Sequence, residues 1–280
     1  MSKNNNIIEY PKFSVLMSLY IKERTEYFVE CMESILSQTI PPSEIVIVFD
    51  GPLSDELYAT VKKYERLNPG LIKIVNNKYN KGLGLALTDG VLACSYDFIA
   101  RMDTDDIARE DRFEIQLKMF INDPSLDICG SHIIEFDGNV NNVLARRVVP
   151  LTHEEIAKYQ KQRSAFNHMT VMYKKNAVLK AGNYEHCPLM EDDLMWIRML
   201  LSGAKCANYD GDLVFARTGS AMIERRGGWS YFKKYRSGRK IILDTGYISK
   251  WDYLKTIYIQ FVVALVPKKI RLLIFTKLLR

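Results

Sequence analysis

The sequence lacks the features that mark several common protein classes. Its five cysteines (Cys31, Cys94, Cys129, Cys187 and Cys206) are scattered, odd in number and never arranged as CxxC. This excludes a disulfide framework and a zinc site built on paired cysteines, and it fits buried, reduced thiols in a cytosolic chain. The polar start, Met1 to Asn6, has no apolar segment of the signal-peptide kind, so no secretory signal is expected there. A spanning helix needs about 20 apolar residues. The uncharged stretch of the tail, Thr256 to Val266, has 11. Neither a GxGxxG fingerprint nor a Walker A loop is present, and there is no internal repeat or low-complexity segment.

What is present is the composition of an ordinary globular chain: 280 residues, 48% hydrophobic and 26% charged. That is enough for one large α/β domain with an appendage. The net charge of +6 conceals an asymmetry. From Arg225 to Arg280 there are 14 Lys/Arg against two acids, Asp244 and Asp252, leaving 25 basic and 31 acidic residues in 1–224. A basic tail on an acidic body points to an anionic partner for the tail, and the sign changes near Gly219 to Gly228.

Hydrophobic patterning alternates between strand and helix. Phe13 to Leu19 reads as a buried strand; Phe28, Val29, Met32, Ile35 and Leu36 recur at helical spacing before Pro41-Pro42. Glu44 to Phe49 (EIVIVF) has the continuous β-branched character of a parallel strand covered on both faces. A helix through Leu57, Val61, Tyr64 and Leu67, a strand over Leu71 to Val75, a helix over Gly82 to Ala93 and a strand over Tyr96 to Met102 follow. This is a βαβ series with a parallel sheet, whose ligands sit beyond the carboxyl ends of the strands. Asp50 and Asp103 to Asp106 stand at those ends.

Two acidic clusters carry the candidate chemistry. In Asp103-Thr104-Asp105-Asp106, carboxylates two apart at a strand end can converge on one hard cation, Mg²⁺ or Mn²⁺. The alternative is helix capping, with Asp106 as N-cap of a helix over Ile107 to Phe120. Glu191-Asp192-Asp193 opens a helix marked by Leu194, Trp196, Ile197, Leu200 and Leu201. There a carboxylate either complements the helix dipole or accepts a proton as a general base. Asn80-Lys81-Gly82-Leu83-Gly84 is a short loop opening a helix, able to approach a phosphate or base closely. His168 precedes the apolar run Thr170 to Tyr173, and Arg225-Arg226-Gly227-Gly228 can grip a phosphate or serve as a solvated linker.

In this order the pieces resemble family 2 glycosyltransferases. They are Ser14 to Tyr20 (SVLMSLY), Ser34 to Thr39 (SILSQT), Glu44 to Gly51, Asn80-Lys81-Gly82, Asp103 to Asp106, and Glu191-Asp192 with Trp196 and Arg198. Ser18 to Glu23 and the Arg225-Arg226-Gly227-Gly228 element look most like bacterial enzymes of O-antigen, capsule and exopolysaccharide synthesis. The resemblance implies a GT-A, Rossmann-like α/β domain over 13–222, with a mostly parallel sheet and helices on both faces, and a basic helical C-terminal extension over 223–280. It implies an inverting transfer from a nucleotide diphosphate sugar, a UDP-sugar, to an undecaprenyl-type lipid-linked saccharide.

The implied roles follow residue by residue. Tyr20 would stack on the uracil, Ser18 would line its pocket, Asp50 would accept a hydrogen bond from the base and Lys81 would lie near the nucleotide. Asp103 and Asp105 would contact ribose and a Mn²⁺ or Mg²⁺ ion, and Asp192 would be the base. His168, Glu191, Arg225 and Arg226 are candidates for the acceptor or phosphates. The chain departs from the family pattern at Phe49-Asp50, where two acids are frequent, and at Ile21, where asparagine is frequent.

Other readings are a nucleotidyltransferase, a non-catalytic sugar-nucleotide binder and a nucleic-acid-binding protein. The first would carry a Gly-rich, basic loop after the first strand, where this chain has Ser18-Leu19-Tyr20. Nucleic-acid binding is disfavoured by the acidic body and the absence of a binding motif. The tail is expected to lie in the interface of an anionic membrane, on the cytoplasmic face of the plasma membrane, or to pack on the catalytic domain.

Overall fold

The computed structural model describes residues 9–218 and 227–266. Arg225, Arg226 and the tail beyond Val266 lie outside the described residues. Four strands form the parallel half of one nine-stranded mixed sheet: β1 (Phe13–Leu19), β2 (Glu44–Phe49), β3 (Ile72–Asn76) and β4 (Phe98–Arg101), in the order β3-β2-β1-β4. The β1/β2 register pairs Ser14 with Glu44 and Leu19 with Phe49, so the two strands end together. Between them run α1 (Thr25–Leu36), α2 (Asp55–Leu67) and α3 (Leu83–Ala93). Phe28, Cys31, Met32 and Ile35 bury the face of α1 that its spacing foretells. Ser54 caps α2, accepting from the Leu57 amide.

The second half of the sheet is largely antiparallel. It contains β5 (Ile107–Ala108), β6 (Ile128–Phe136), β7 (Val143–Arg147), β8 (Met172–Lys174) and β9 (Cys206–Arg217). β8 joins β4 to β6; β9 pairs parallel with β6 and antiparallel with β5. The helices here are α4 (Arg112–Asn122), α5 (His153–Tyr159), α6 (Lys175–Lys180) and α7 (Glu191–Leu201). Helices cover both faces of the sheet. One core sets Phe28, Met32, Val61, Phe113 and Leu117 under β1 and β2; the other gathers Leu16, Leu87, Val91, Val178, Met195 and Trp196. Each such buried apolar side chain contributes about 1.5–3 kcal/mol.

One local expectation is corrected. Ile107 and Ala108 do not begin a helix; they pair with Phe215 and Val214 of β9, and the helix starts only at Arg112. Asp106 therefore caps no helix. Its Oδ1 accepts the Arg217 amide at 2.7 Å. An open backbone edge on β9 wins over the helical spacing of the segment, a case of tertiary pairing overriding a local pattern.

The described residues close with a helical pair, α8 (Gly228–Asp244) and α9 (Lys250–Leu265). Ile242 and Ile248 of this pair form a third core with Cys187, Met190, Leu194 and Ile197 around the start of α7. The uncharged tail stretch belongs to α9, which begins at a capping box between Ser249 and Asp252. No helix among the described residues is long and apolar enough to cross a membrane.

Candidate active site

The acids come together where parallel strands end. Asp50 follows β2, and its amide donates to the Leu19 carbonyl of β1 at 2.8 Å. Its buried carboxylate accepts from the Lys81 amide at 2.6 Å and the Gly82 amide at 3.1 Å. Asp50 thus holds the Asn80–Gly82 loop against the sheet, with both oxygens on backbone amides. Lys81 turns its ammonium to Asp89, 2.8 Å away. Ser18 is half-buried at the end of β1, and Tyr20, just beyond, is exposed on the same rim.

Asp103 to Asp106 follow β4. The Asp103 carboxylate pairs with Arg101 at 2.5 Å. Thr104 donates to Glu23 Oε2 at 2.7 Å, tying the loop after β1 to the acid cluster. Burial, then the charges of Asp103 and Glu23, push the Asp105 carboxyl up to about 7. Asp106 is raised too, by burial and then by Asp105 and Asp103, and its Oδ2 is buried with no hydrogen-bond partner among the described residues.

This donor set fits a divalent cation of the Mg²⁺ or Mn²⁺ type. The oxygens are hard, their mutual repulsion is only partly offset by Arg101 and one buried oxygen is orphaned. No group of three or more His, Cys, Asp or Glu forms a cage among the described residues. A site of one or two carboxylates, completed by phosphate oxygens and water, is the habit of these cations.

Glu191, Asp192 and Asp193 form the first turn of α7. Gly84, near the start of α3, brings the loop held by Asp50 against them. A Cβ there would stand 3.0 Å from the Glu191 Cβ and 3.1 Å from the Glu185 carbonyl oxygen. The two aspartates differ in their partners. Asp193 accepts from Gln160 Nε2 at 2.7 Å; burial raises its carboxyl as well, against which Gln160, Arg239, Ser164 and Arg147 favour the charged form. Asp192 accepts only from the backbone amides of the helix start among the described residues, and Arg101 reaches it by its charge. Burial, then the neighbouring charge of Asp193, push it up to about 7.

Two residues outside the sequence-level site prove central. Arg101, fully buried on β4, pairs with Asp103, and its field also reaches Asp105, Asp106, Glu191 and Asp192. Its signal in sequence is a cation ending an apolar strand immediately before the acids. Arg217, at the end of β9, donates through Nε to the Asp105 carbonyl at 3.0 Å, pairs with Glu30 and stacks over Tyr27 with its guanidinium carbon 3.9 Å from the ring centroid. Nothing in its local sequence announces that.

His168 is brought near the site but faces aromatic rings. Its Nε2 lies 3.0 Å from the Tyr184 hydroxyl, and Trp196 meets it edge-on at 5.7 Å. Burial, then Arg101, hold its pKa well below the ordinary value, so it is neutral.

Comparison with known proteins places this geometry in a family. The glycosyl transferase family 2 model matches residues 14–187. The chain belongs to glycosyltransferase family 2. It is 37% identical to the amylovoran biosynthesis glycosyltransferase AmsE of Erwinia amylovora over 95% of this chain and 98% of that one. It is 34% identical to the UDP-Gal:alpha-D-GlcNAc-diphosphoundecaprenol beta-1,3-galactosyltransferase of Escherichia coli, over 96% of this chain and 97% of that one. Among solved structures, the mannosyltransferase PcManGT from Pyrobaculum calidifontis, in complex with GDP-Man and Mn²⁺, superposes with a TM-score of 0.64 at 12% identity, covering 89% of this chain and 69% of that one. That likeness bears on fold alone, and the fold is of GT-A type. This family 2 member is a glycosyltransferase, with relatives in bacterial polysaccharide synthesis.

Proposed function

We infer that the enzyme transfers a sugar from a UDP-sugar to a lipid-linked saccharide of undecaprenyl-diphosphate type, with inversion at the anomeric carbon. The observation that carries this reading is the division of labour at the start of α7. Asp193 is occupied by Gln160, while Asp192, two residues into the helix, is raised to about 7 and keeps oxygens available. A general base works best when its pKa lies near the working pH. Asp192 would take the proton of the acceptor hydroxyl as that oxygen attacks the anomeric carbon from the face opposite the leaving diphosphate.

The donor would lie along the strand ends. Tyr20 offers a ring for the uracil, Ser18 lines the same rim, and Asp50 presents the Asn80–Gly82 loop and Lys81 to the nucleotide. Asp103 and Asp105 would hold a divalent cation together with the diphosphate oxygens. When bound, that ion offsets the charge that builds on the leaving group, an effect worth several kcal/mol. Arg101 fixes the Asp103 carboxylate. The E. coli relative is named for a UDP-Gal donor and a diphosphoundecaprenol acceptor, and PcManGT for GDP-Man and Mn²⁺, which supports a nucleotide sugar, a lipid-linked acceptor and a cation here.

Such an acceptor sits at the inner face of the plasma membrane, and α9 suits that surface. Trp251, Leu254, Tyr258, Phe261 and Leu265 recur at three- and four-residue spacing and are all exposed, with Lys250 and Lys255 beside them. Its 16 residues rise about 24 Å, short of a hydrocarbon core of about 30 Å, so it would lie in the interface. Release of UDP measured over a panel of nucleotide sugars with a lipid-diphosphate-linked saccharide tests the reading. One UDP-sugar should give acceptor-dependent release. Release with no nucleotide sugar, or with nucleoside triphosphate alone, would overturn it.

A further inference from the structure

The C-terminal helical pair reaches the start of α7 by two routes. The first is direct. Gly238 of α8 lies so close to the segment before α7 that a Cβ would stand 2.5 Å from the Pro188 carbonyl oxygen and 3.3 Å from the Met190 sulfur. The Cys187 thiol also reaches the Gly238 carbonyl at 3.8 Å. Between Pro188 and Met190 sits Leu189, whose φ of +64° is a left-handed setting unusual for a non-glycine residue. Such a setting persists only where the surroundings impose it. The contact with α8 is part of those surroundings, and Glu191-Asp192 come immediately after it.

The second route runs through Asp193. Arg239, 2% exposed, donates Nη2 to the Lys161 carbonyl at 2.8 Å. The Tyr247 hydroxyl donates to the Ala157 carbonyl at 2.7 Å, and the Lys255 ammonium to Gln162 Oε1 at 3.0 Å. The helical pair thus grips residues 157–162 at three points. Gln160, at the centre of that grip, is 1% exposed and bonds Asp193 Oδ1 at 2.7 Å while accepting the Ala165 amide at 2.8 Å. Arg239 acts on Asp193 by its charge as well.

We propose that the C-terminal helical pair is a working part of the active site, with Gly238 and Arg239 as positioning residues that set the first turn of α7 and so aim Asp192. This rests on the reading of Asp192 as the base. Neither is placed to touch the donor; Gly238 acts through residues 187–190 and Arg239 through residues 157–162. A surface docked through α9 is thereby joined to the base through α8 and through the grip on residues 157–162.

The test compares Gly238→Ala, Arg239→Gln and Arg239→Lys in the full chain, with Asp192→Asn alongside. For each, kcat and donor KM, UDP affinity and thermal midpoint are measured, with rates taken at least 15 °C below the lowest midpoint. Gly238→Ala and Arg239→Gln should lose about tenfold or more in kcat, since a shift well under 1 Å in a catalytic group is enough. Donor KM and UDP affinity should stay within about twofold, and Arg239→Lys should recover most of the rate. If both extension variants melt earlier yet keep a normal kcat, the helices merely pack and the proposal is overturned. Should Gly238→Ala fail to fold, the split between kcat and KM in Arg239→Gln, and its rescue by lysine, decide the matter. A fully active Asp192→Asn overturns the base assignment instead, whatever the extension variants do.

Discussion

Replacing Asp192 by asparagine should make the enzyme both slower and more stable, and the two effects have one cause. The fold holds this carboxyl at about 7 against an ordinary 3.8, because its charged form is buried beside Asp193. Between those two values the folded chain binds the proton more tightly than the unfolded chain, so stability falls as pH rises from about 4 to 7 and stays low above. A shift of about three units corresponds to a ceiling of roughly 4 kcal/mol. Burying the asparagine amide in its place offsets part of that, and a realistic gain for Asp192→Asn at pH 8 is about 1–2 kcal/mol. In a chain of this size that is a rise of about 2–8 °C in the thermal midpoint at pH 8, shrinking to less than half of that at pH 5. Activity should move the other way, falling by about 10²- to 10⁴-fold with donor affinity unchanged. Thermal melts at pH 5 and pH 8, paired with initial rates, test both halves. A variant that melts lower at pH 8 than the parent, or transfers sugar at the parent's rate, would refute the assignment; full loss in Asp193→Asn alone would move the role to Asp193.

The remaining predictions concern pH, metal, packing and surface. The rate of the parent enzyme should drop below about pH 7, as Asp192 takes up a proton, and a profile flat from pH 5 to 8 would contradict its role as base. EDTA should abolish transfer, Mn²⁺ or Mg²⁺ should restore it, and Asp105→Ala should be folded but inactive; an Asp105→Ala enzyme active in EDTA would remove the cation from the scheme. Gly84→Val should cost about 10²-fold in rate, because its side chain must displace the Glu191 Cβ and the Glu185 carbonyl. In sedimentation with anionic vesicles the full chain should pellet at low salt, and a Trp251→Ser, Leu254→Ser, Tyr258→Ser triple variant should not. A parent that stays in the supernatant would leave α9 without a membrane role.

The parallel half of the fold is legible in sequence because β1 and β2 are covered on both faces and so read as unbroken apolar runs. The ends of β2 and β4 point to Asp50 and Asp103, since ligands of such sheets gather there. The antiparallel half is not legible in the same way. β6 and β9 mix small, polar and apolar residues, and their pairing spans some 80 residues of chain, so periodicity within either strand says little. α5 carries a local signature, the capping box of Thr152 and Glu155, on which sequence could have called it. Asp106 shows the limit of local reasoning. Its neighbours favour a helix start, but β9 offers a backbone edge and the Arg217 amide. Arg101 shows another limit, because a buried guanidinium acquires meaning only when α7, distant in sequence, is folded beside it.

The most direct measurement is the anomeric configuration of the product. An α-linked UDP-sugar, a lipid-diphosphate-linked saccharide and a divalent cation are incubated with the enzyme, and the new linkage is read from the anomeric proton coupling in NMR. Transfer by a single displacement with Asp192 as base should give a β-linkage, in amounts equal to the UDP released. An α-linkage, or UDP release with only free sugar formed, would contradict it.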